Sequence, residues 1–416
     1  MIKQIKNKLY FFVAHYFKFF AQIRLAKWQP KVVVVTGSNG KTTLLHLIES
    51  QLGERARYSH HANSSFGIPF DILGLKRKNF TFDEWPMLFF WAPIKAFKKV
   101  FVEKIYVVEA DCDRPGEGRF LADLLHPSVT IWLNLSKTHS MNFEKIALGR
   151  SQIKEVIANE FGNFLSQTKD VAIVNGDDEL IVKQTERSRA EISKIFELQL
   201  ENYQLYNKST QFKIGGFEYN FSSLLPREIF YSILATHQLL KFLNFPEDEK
   251  YRNFQLPPGR SSIFSGIKDT TLIDSSYNAN LNSMEAVLKM YNDYPAKTKW
   301  AVLGDMLEQG AQEQEEHEKL AQLILQIKLD KIILMGPRVC KYTYPKLQNP
   351  SAEKFERPKE ALGYLLANIS GGEVILFKGA RFLEGVVEHL LANKSDVEKL
   401  CRREKIWQIR RKEWGL

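Results

Sequence analysis

Short runs of consecutive apolar residues recur along the chain, each ending in a glycine or a polar turn. Val32–Val35, Lys104–Ala110, Val129–Leu135 and Val171–Val174 form a first series. Thr271–Ile273, Trp300–Leu303, Lys331–Leu334 and Val374–Phe377 form a second. Runs that do not alternate with polar residues predict strands buried on both faces, as in parallel sheets. Helical spacing lies between them, as in Leu44, Leu47, Ile48 and Leu52. Strands alternating with helices predict an α/β fold with a mostly parallel, doubly wound sheet. The polar, proline-bearing stretch 246–258 separates the two series and reads as a linker. The predicted organisation is an amphipathic helix over 1–30, a central α/β domain over 31–245, a smaller Rossmann-like α/β domain over 259–395, and a basic tail over 396–416 read as a solvated helix.

The most informative stretch is Val32–Thr43, VVVVTGSNGKTT: a strand, a glycine loop, then a helix. Backbone N–H groups of such a loop, together with the helix N-terminus, form a concave site for phosphate. Lys41 adds a point charge for the outer phosphates, and the Thr42 hydroxyl suits Mg²⁺. Gly37 and Gly40 enclose only Ser38 and Asn39, two residues where the ordinary Walker pattern has four. Three polar strand ends follow downstream. Glu109 closes one run, His139 follows Ser136-Lys137-Thr138, and Asn175-Gly176-Asp177-Asp178 closes a third. Ligands of open α/β sheets bind at that carboxyl edge.

In residues 1–30, Ile2, Ile5, Leu9, Val13, Tyr16, Phe20 and Ile23 recur at helical spacing, with Lys6, Lys8, Lys18 and Arg24 between them. The run is too interrupted to span a membrane and lacks a signal-peptide cleavage site. Two fates are open: a helix packed on its own domain, or an in-plane membrane helix. Residues 85–102, WPMLFFWAPIKAFKKVFV, are a second aromatic-basic stretch that is either core or part of the same membrane-facing surface.

The 416-residue chain has an ordinary globular balance, 44% hydrophobic and 25% charged. Its net charge of +10 favours an anionic partner, but no nucleic-acid-binding signature is present, so no nucleic acid is expected. Three scattered cysteines, Cys112, Cys340 and Cys401, indicate neither a zinc site nor a disulfide framework and fit a cytoplasmic protein. Adjacent His60 and His61 point apart on any regular element and read as a solvated pair.

Together these stretches resemble the Mur ligase superfamily, ATP-dependent enzymes that join an amino acid or peptide to a carboxylate. TGSNGKTT looks like its short phosphate loop, and Asn63–Pro69 like its NNEIGVP stretch. EADCDRPGE from Glu109 is similar to EMGADRPGE, and SYNANLNSM from Ser276 to SYNANPDSM. LGDMLEQG from Leu303 and FKGAR from Phe377 are similar to LGDMLELG and VKGSR of MurF-type ligases. The likeness runs from about Val32 to Leu390.

The resemblance implies roles residue by residue. Gly37, Ser38, Asn39, Gly40, Lys41, Thr42 and Thr43 would bind the ATP phosphates. Thr42 and Glu109 would hold the nucleotide Mg²⁺, His139 would help hold a second, and Arg260 would reach the phosphates. Asp274, Asn278 and Asn280 would line the nucleotide or amine side. The implied reaction forms an acyl phosphate from a carboxylate-bearing cell-wall precursor, which an amino acid or dipeptide then attacks. Arg150 stands where the family carries a carbamylated lysine, so either Arg150 contacts the γ-phosphate itself or Lys154, one turn along, is carbamylated. Pro226–Ile229 replaces a Gly-x-His-Asn, Leu281 replaces a proline, and Ser275 replaces an acid. Family members that bind UDP carry a small domain before the loop, where this chain has one helix, so the resemblance implies a ligase lacking the UDP-binding part. The expected function is a MurF-like peptidoglycan-precursor ligase in the cytoplasm, with peripheral contact at the inner membrane surface through residues 1–30 left open. The alternatives are a MurT-like enzyme acting on a lipid-linked precursor, and a degenerate nucleotide-binding scaffold.

Overall fold

A computed structural model describes residues 2–60, 62–77, 82–137, 140–144, 146–147, 152–380 and 382–416, with the backbone alone for 2–8 and 82. The chain divides into two compact units. The first comprises 1–137, 142–199 and 231–248; the second comprises 138–141, 200–230 and 249–416.

The first unit is built on six strands: β1 (Lys31–Thr36), β2 (Ala56–Tyr58), β3 (Ile105–Glu109), β4 (Val129–Trp132), β5 (Val171–Asn175) and β6 (Glu191–Ile195). They lie in the order β2-β3-β1-β4-β5-β6, and every pairing is parallel. The valine run explains why β1 is central, since it is buried from Val32 onward. Helices α1 (Ile2–Trp28), α2 (Lys41–Leu52), α3 (Gly67–Leu73), α4 (Trp85–Phe97), α5 (Glu117–Leu125), α6 (Ile153–Gln167), α7 (Glu179–Gln184) and α8 (Ile229–Leu243) accompany the sheet.

One side of α1 is core. Ala14, Phe17, Ala21 and Trp28 are buried with Phe70, Tyr106 and Phe120. The Trp28 indole N–H donates to Glu103 O at 2.6 Å. Arg24, also buried, donates to Leu73 O and Lys95 O, each at 2.9 Å, where α3 and α4 end. Its guanidinium thus satisfies carbonyls that helix C-termini leave without intrahelical partners.

The second unit holds an antiparallel meander, β7 (Leu200–Leu205), β8 (Thr210–Ile214) and β9 (Phe217–Phe221), and a six-stranded sheet. That sheet comprises β10 (Ser262–Ser265), β11 (Thr271–Ser275), β12 (Lys299–Gly304), β13 (Lys331–Met335), β14 (Ala352–Phe355) and β15 (Val374–Lys378), in the order β10-β11-β15-β12-β13-β14. Only β10 is antiparallel to its neighbour. Helices α9 (Leu281–Asp293), α10 (Glu313–Leu325), α11 (Pro358–Asn368), α12 (Leu383–Leu390) and α13 (Lys405–Glu413) complete it. The doubly wound, mostly parallel architecture expected from the sequence is present in both units. Residues 200–230, placed with the central domain on sequence, group here with the second unit. Tyr294 Oη donates to Asn207 O at 2.9 Å, and Leu224 lies in this unit's core.

The basic tail forms the helix α13 with most of its residues exposed, but the tail is anchored at a few points. Leu400, Cys401 and Arg411 are buried. Glu384, fully buried on α12, lies 3.4 Å from both Arg402 and Arg411. A buried carboxylate needs such partners, and the tail supplies them.

Candidate active site

In the first unit β1, β3 and β4 are adjacent, and their carboxyl ends bring three loops together. Gly37 leaves β1 with φ +120°, and a Cβ there would lie 2.9 Å from Asn134 O, so the position demands glycine twice over. Gly40, at φ +74°, turns the chain into α2. Asn134, just past β4, clamps the loop: Asn39 N donates to its Oδ1, and its Nδ2 donates to Asn39 O, both at 2.7 Å. Ser136 N donates to Ser38 Oγ at 2.8 Å. The glycine loop is therefore held by the segment that follows β4.

Lys41 is buried at the start of α2. Its Nζ donates to Gly37 O at 2.7 Å and lies 2.9 Å from Asp111 Oδ2. Burial opposes its charge, but Asp111 and Glu109 outweigh burial and raise its pKa above the ordinary lysine value. Thr42 Oγ1 donates to Glu109 Oε2 at 2.9 Å. The hydroxyl of Thr42 and the carboxylates of Glu109 and Asp111 give a set of hard oxygen donors with excess negative charge, which fits Mg²⁺. Sequence reasoning missed Asp111 and Asn134. Asp111 could have been found from its place two residues beyond the strand-end Glu109. Asn134 was hidden inside a run read as strand through Leu135, whereas β4 ends at Trp132. His139 and Arg150 lie outside the described residues. Of the two adjacent histidines, His60 pairs with Glu49 at 3.0 Å rather than being merely solvated; His61 is outside the described residues.

In the second unit the carboxyl ends of β11 and β15 are paired, Asp274 opposite Phe377 and Ser275 opposite Lys378. Asp274 is fully buried; its Oδ1 accepts from Ser276 N at 3.0 Å, and its Oδ2 has no hydrogen-bond partner among the described residues. Burial pushes its carboxyl up to about 6. Lys378 donates to Asn278 O at 2.6 Å, and burial, reinforced by the Arg260 charge, pushes it down to about 7. The Arg260 guanidinium lies 4.9 Å from the Tyr277 ring centroid. Asn280 serves the fold, since its side chain caps α9 reciprocally with Ser283.

Asp305, from LGDM, ties three strand ends together. Its carboxylate accepts from Arg338 N and Val339 N at 3.0 and 2.9 Å, and its carbonyl accepts from Ala380 N at 3.0 Å. Gly336 leaves room for that carboxylate, since a Cβ there would lie 2.6 Å from it. Next to Asp305 lies a cavity of about 420 Å³, lined also by Arg338, Glu356, Trp407, Arg410 and Trp414.

Comparison with known proteins identifies the family. Residues 35–240 match the family described as Mur ligase middle domain, and residues 259–381 match Mur ligase, glutamate ligase domain. The UDP-N-acetylmuramoyl-tripeptide–D-alanyl-D-alanine ligase of Bacillus subtilis (strain 168) is 24% identical over 399 residues, covering 89% of this chain and 78% of that protein. The enzyme of the same name from Borreliella burgdorferi is 24% identical over 379 residues, covering 87% and 74%. The crystal structure of MurF ligase from Thermotoga maritima in complex with ADP superposes with a TM-score of 0.73 at 22% identity, covering 93% of this chain and 84% of that one. With both domain matches in order along one chain, this protein belongs to the Mur ligase superfamily of ATP-dependent ligases and is similar to its MurF-type members over most of its length.

Proposed function

We propose that this protein uses ATP to join an amino acid or dipeptide to a carboxylate-bearing cell-wall precursor, as a MurF-like ligase. The observation that carries the reading is the convergence of Lys41, Thr42, Glu109 and Asp111 beside a clamped glycine loop. The loop and the first turn of α2 point backbone N–H groups at a phosphate chain. Lys41, held charged by Asp111, offsets negative charge on the transferred phosphoryl group. Mg²⁺, held by Thr42 and Glu109, would supply further positive charge at the outer phosphates. The attacking carboxylate displaces ADP to give an acyl phosphate, and an amine then displaces inorganic phosphate to leave the amide.

On the amine side, the cavity beside Asp305 presents Arg338 and Arg410 with Glu356 and Glu413. Both signs of charge suit a zwitterionic amino acid or dipeptide. Arg260, Asp274 and Asn278 are assigned to the nucleotide or amine side, and His139 to the second metal. Arg150 is assigned to the γ-phosphate, because a guanidinium keeps its charge and offers no lone pair to a metal. Turnover should then be indifferent to bicarbonate.

The test is phosphate release from ATP with muramoyl-peptide acceptors and a panel of amines. Release should require both substrates, and Lys41→Ala should lower it by about 10²-fold or more while a cooperative melt is retained. Wild-type release by that variant would remove the phosphate-loop assignment. No stimulation by any acceptor–amine pair would favour a scaffold.

A further inference from the structure

We propose that the outer faces of α1 and α4 form one interfacial surface that seats this protein on an anionic lipid bilayer. The proposal does not rest on the ligase reading.

The two helices are adjacent and run parallel. Tyr16 Oη donates to Phe89 O at 2.8 Å, Arg24 to Lys95 O at 2.9 Å, and Lys27 to Phe97 O at 2.9 Å, so contacts advance together along both. Each commits one stripe to the core, Ala14, Phe17 and Ala21 on α1 and Leu88, Ala92 and Ala96 on α4. The opposite stripes should be polar in an ordinary surface helix. They expose large apolar side chains instead. On α1, Leu9, Phe12 and Phe19 are exposed, Phe12 by 77%; on α4, Phe90, Trp91 and Phe97 are exposed, the two phenylalanines by 64% each. Single exposed apolar side chains need no explanation, but a continuous patch on two neighbouring helices does.

Charge selects the occupant. The chain contains 48 Asp and Glu residues, yet α1 and α4 contain none. The exposed charges at their shared end are Lys27, Lys98 and Lys99. Lysines rimming an aromatic face suit phosphate headgroups with acyl chains beneath. A second copy presenting the same face would bring no carboxylate to those lysines. No helix among the described residues is long and apolar enough to cross a membrane, so the face lies on the bilayer and does not span it. The inner side of α1, beneath this surface, packs against the chain that follows Glu109. Tyr10 of α1 packs on Phe66 with ring centroids 4.8 Å apart, and the Arg114 guanidinium, five residues past Glu109, lies 3.9 Å from the Tyr10 ring centroid.

The test uses the purified full chain and sedimentation with phosphatidylcholine vesicles, with and without phosphatidylglycerol. Binding should require phosphatidylglycerol and weaken as salt is added. Phe12→Ser with Phe19→Ser, and separately Phe90→Ser with Phe97→Ser, should each lower partitioning on the order of tenfold. Their melts should stay at the wild-type value, because these side chains are exposed. Lys98→Gln with Lys99→Gln should flatten the salt dependence. The proposal is overturned if the chain ignores anionic vesicles, or if the α4 pair binds as wild type. It is equally overturned if light scattering shows a vesicle-free dimer that either aromatic pair abolishes, since the face would then belong to a second copy. Phosphate release measured without vesicles tests the ligase reading separately.

Discussion

Among single residues, the glycine loop was the most legible feature of the sequence and its support the least. Gly37, Gly40, Lys41 and Thr42 announce themselves because backbone sign, charge and hydroxyl are properties of residue type. Asn134 does not, because its role depends on β1 and β4 being neighbours, which only the sheet order supplies. Asn134→Ala removes two hydrogen bonds that preset the loop. It should raise the KM for ATP about tenfold or more while costing roughly 1–3 kcal/mol of stability, measured by steady-state kinetics and urea unfolding. Lys378 gives a pH signature. Its pKa is depressed on folding to about 7, so between about pH 7 and the ordinary lysine range the unfolded chain binds the extra proton. Stability from this group therefore rises with pH across that window and is lost as pH falls through it. Urea unfolding at a series of pH values should show that slope in the wild-type protein and a flatter one in Lys378→Met.

For α1 the sequence posed a choice, core or membrane, and the structure shows that one stripe is core. Hydrophobic periodicity marks a helix and one apolar stripe, but a helix apolar on most of its surface gives no sign of which stripe faces inward. The structure buries Phe17 and leaves Phe12 exposed. Phe17→Ala should cost about 3–5 kcal/mol, and Phe12→Ser close to nothing, by chemical denaturation. Deleting residues 1–30 should destabilise the first unit rather than release a soluble enzyme. The anchoring of the C-terminal tail was hidden for a related reason. A basic run normally means a solvated face, but Arg402 and Arg411 serve a glutamate on α12 that sequence cannot show to be buried. Arg411→Ala leaves that carboxylate short of a partner and should cost about 3–5 kcal/mol.

At the level of the whole molecule, sequence pattern was enough to predict two α/β sheets because buried parallel strands have no polar face to confuse the reading. It did not show which unit residues 200–230 pack with, because the alternation of β8 and β9 marks strands while their neighbours are set by tertiary contact. The division into two units, each with its own core, carries a thermodynamic consequence. Two-state unfolding is a property of single domains, so calorimetry of the full chain should resolve two transitions. Each can be assigned by a core substitution confined to one unit. Phe17→Ala should lower one transition, Arg411→Ala the other, and each should leave its counterpart within a degree or two. A non-hydrolysable ATP analogue at about 100 times its Kd should raise only the transition that Phe17→Ala lowers, by roughly 2.7 kcal/mol, if the phosphate site binds without help from the second unit. A rise in both transitions would mean that residues of the second unit, Arg260 foremost, contribute to nucleotide affinity. Repeating the titration with Arg260→Ala then separates the cases: loss of the second shift alone identifies the arginine as the contributor, while loss of neither assigns the contribution to another residue of the second unit.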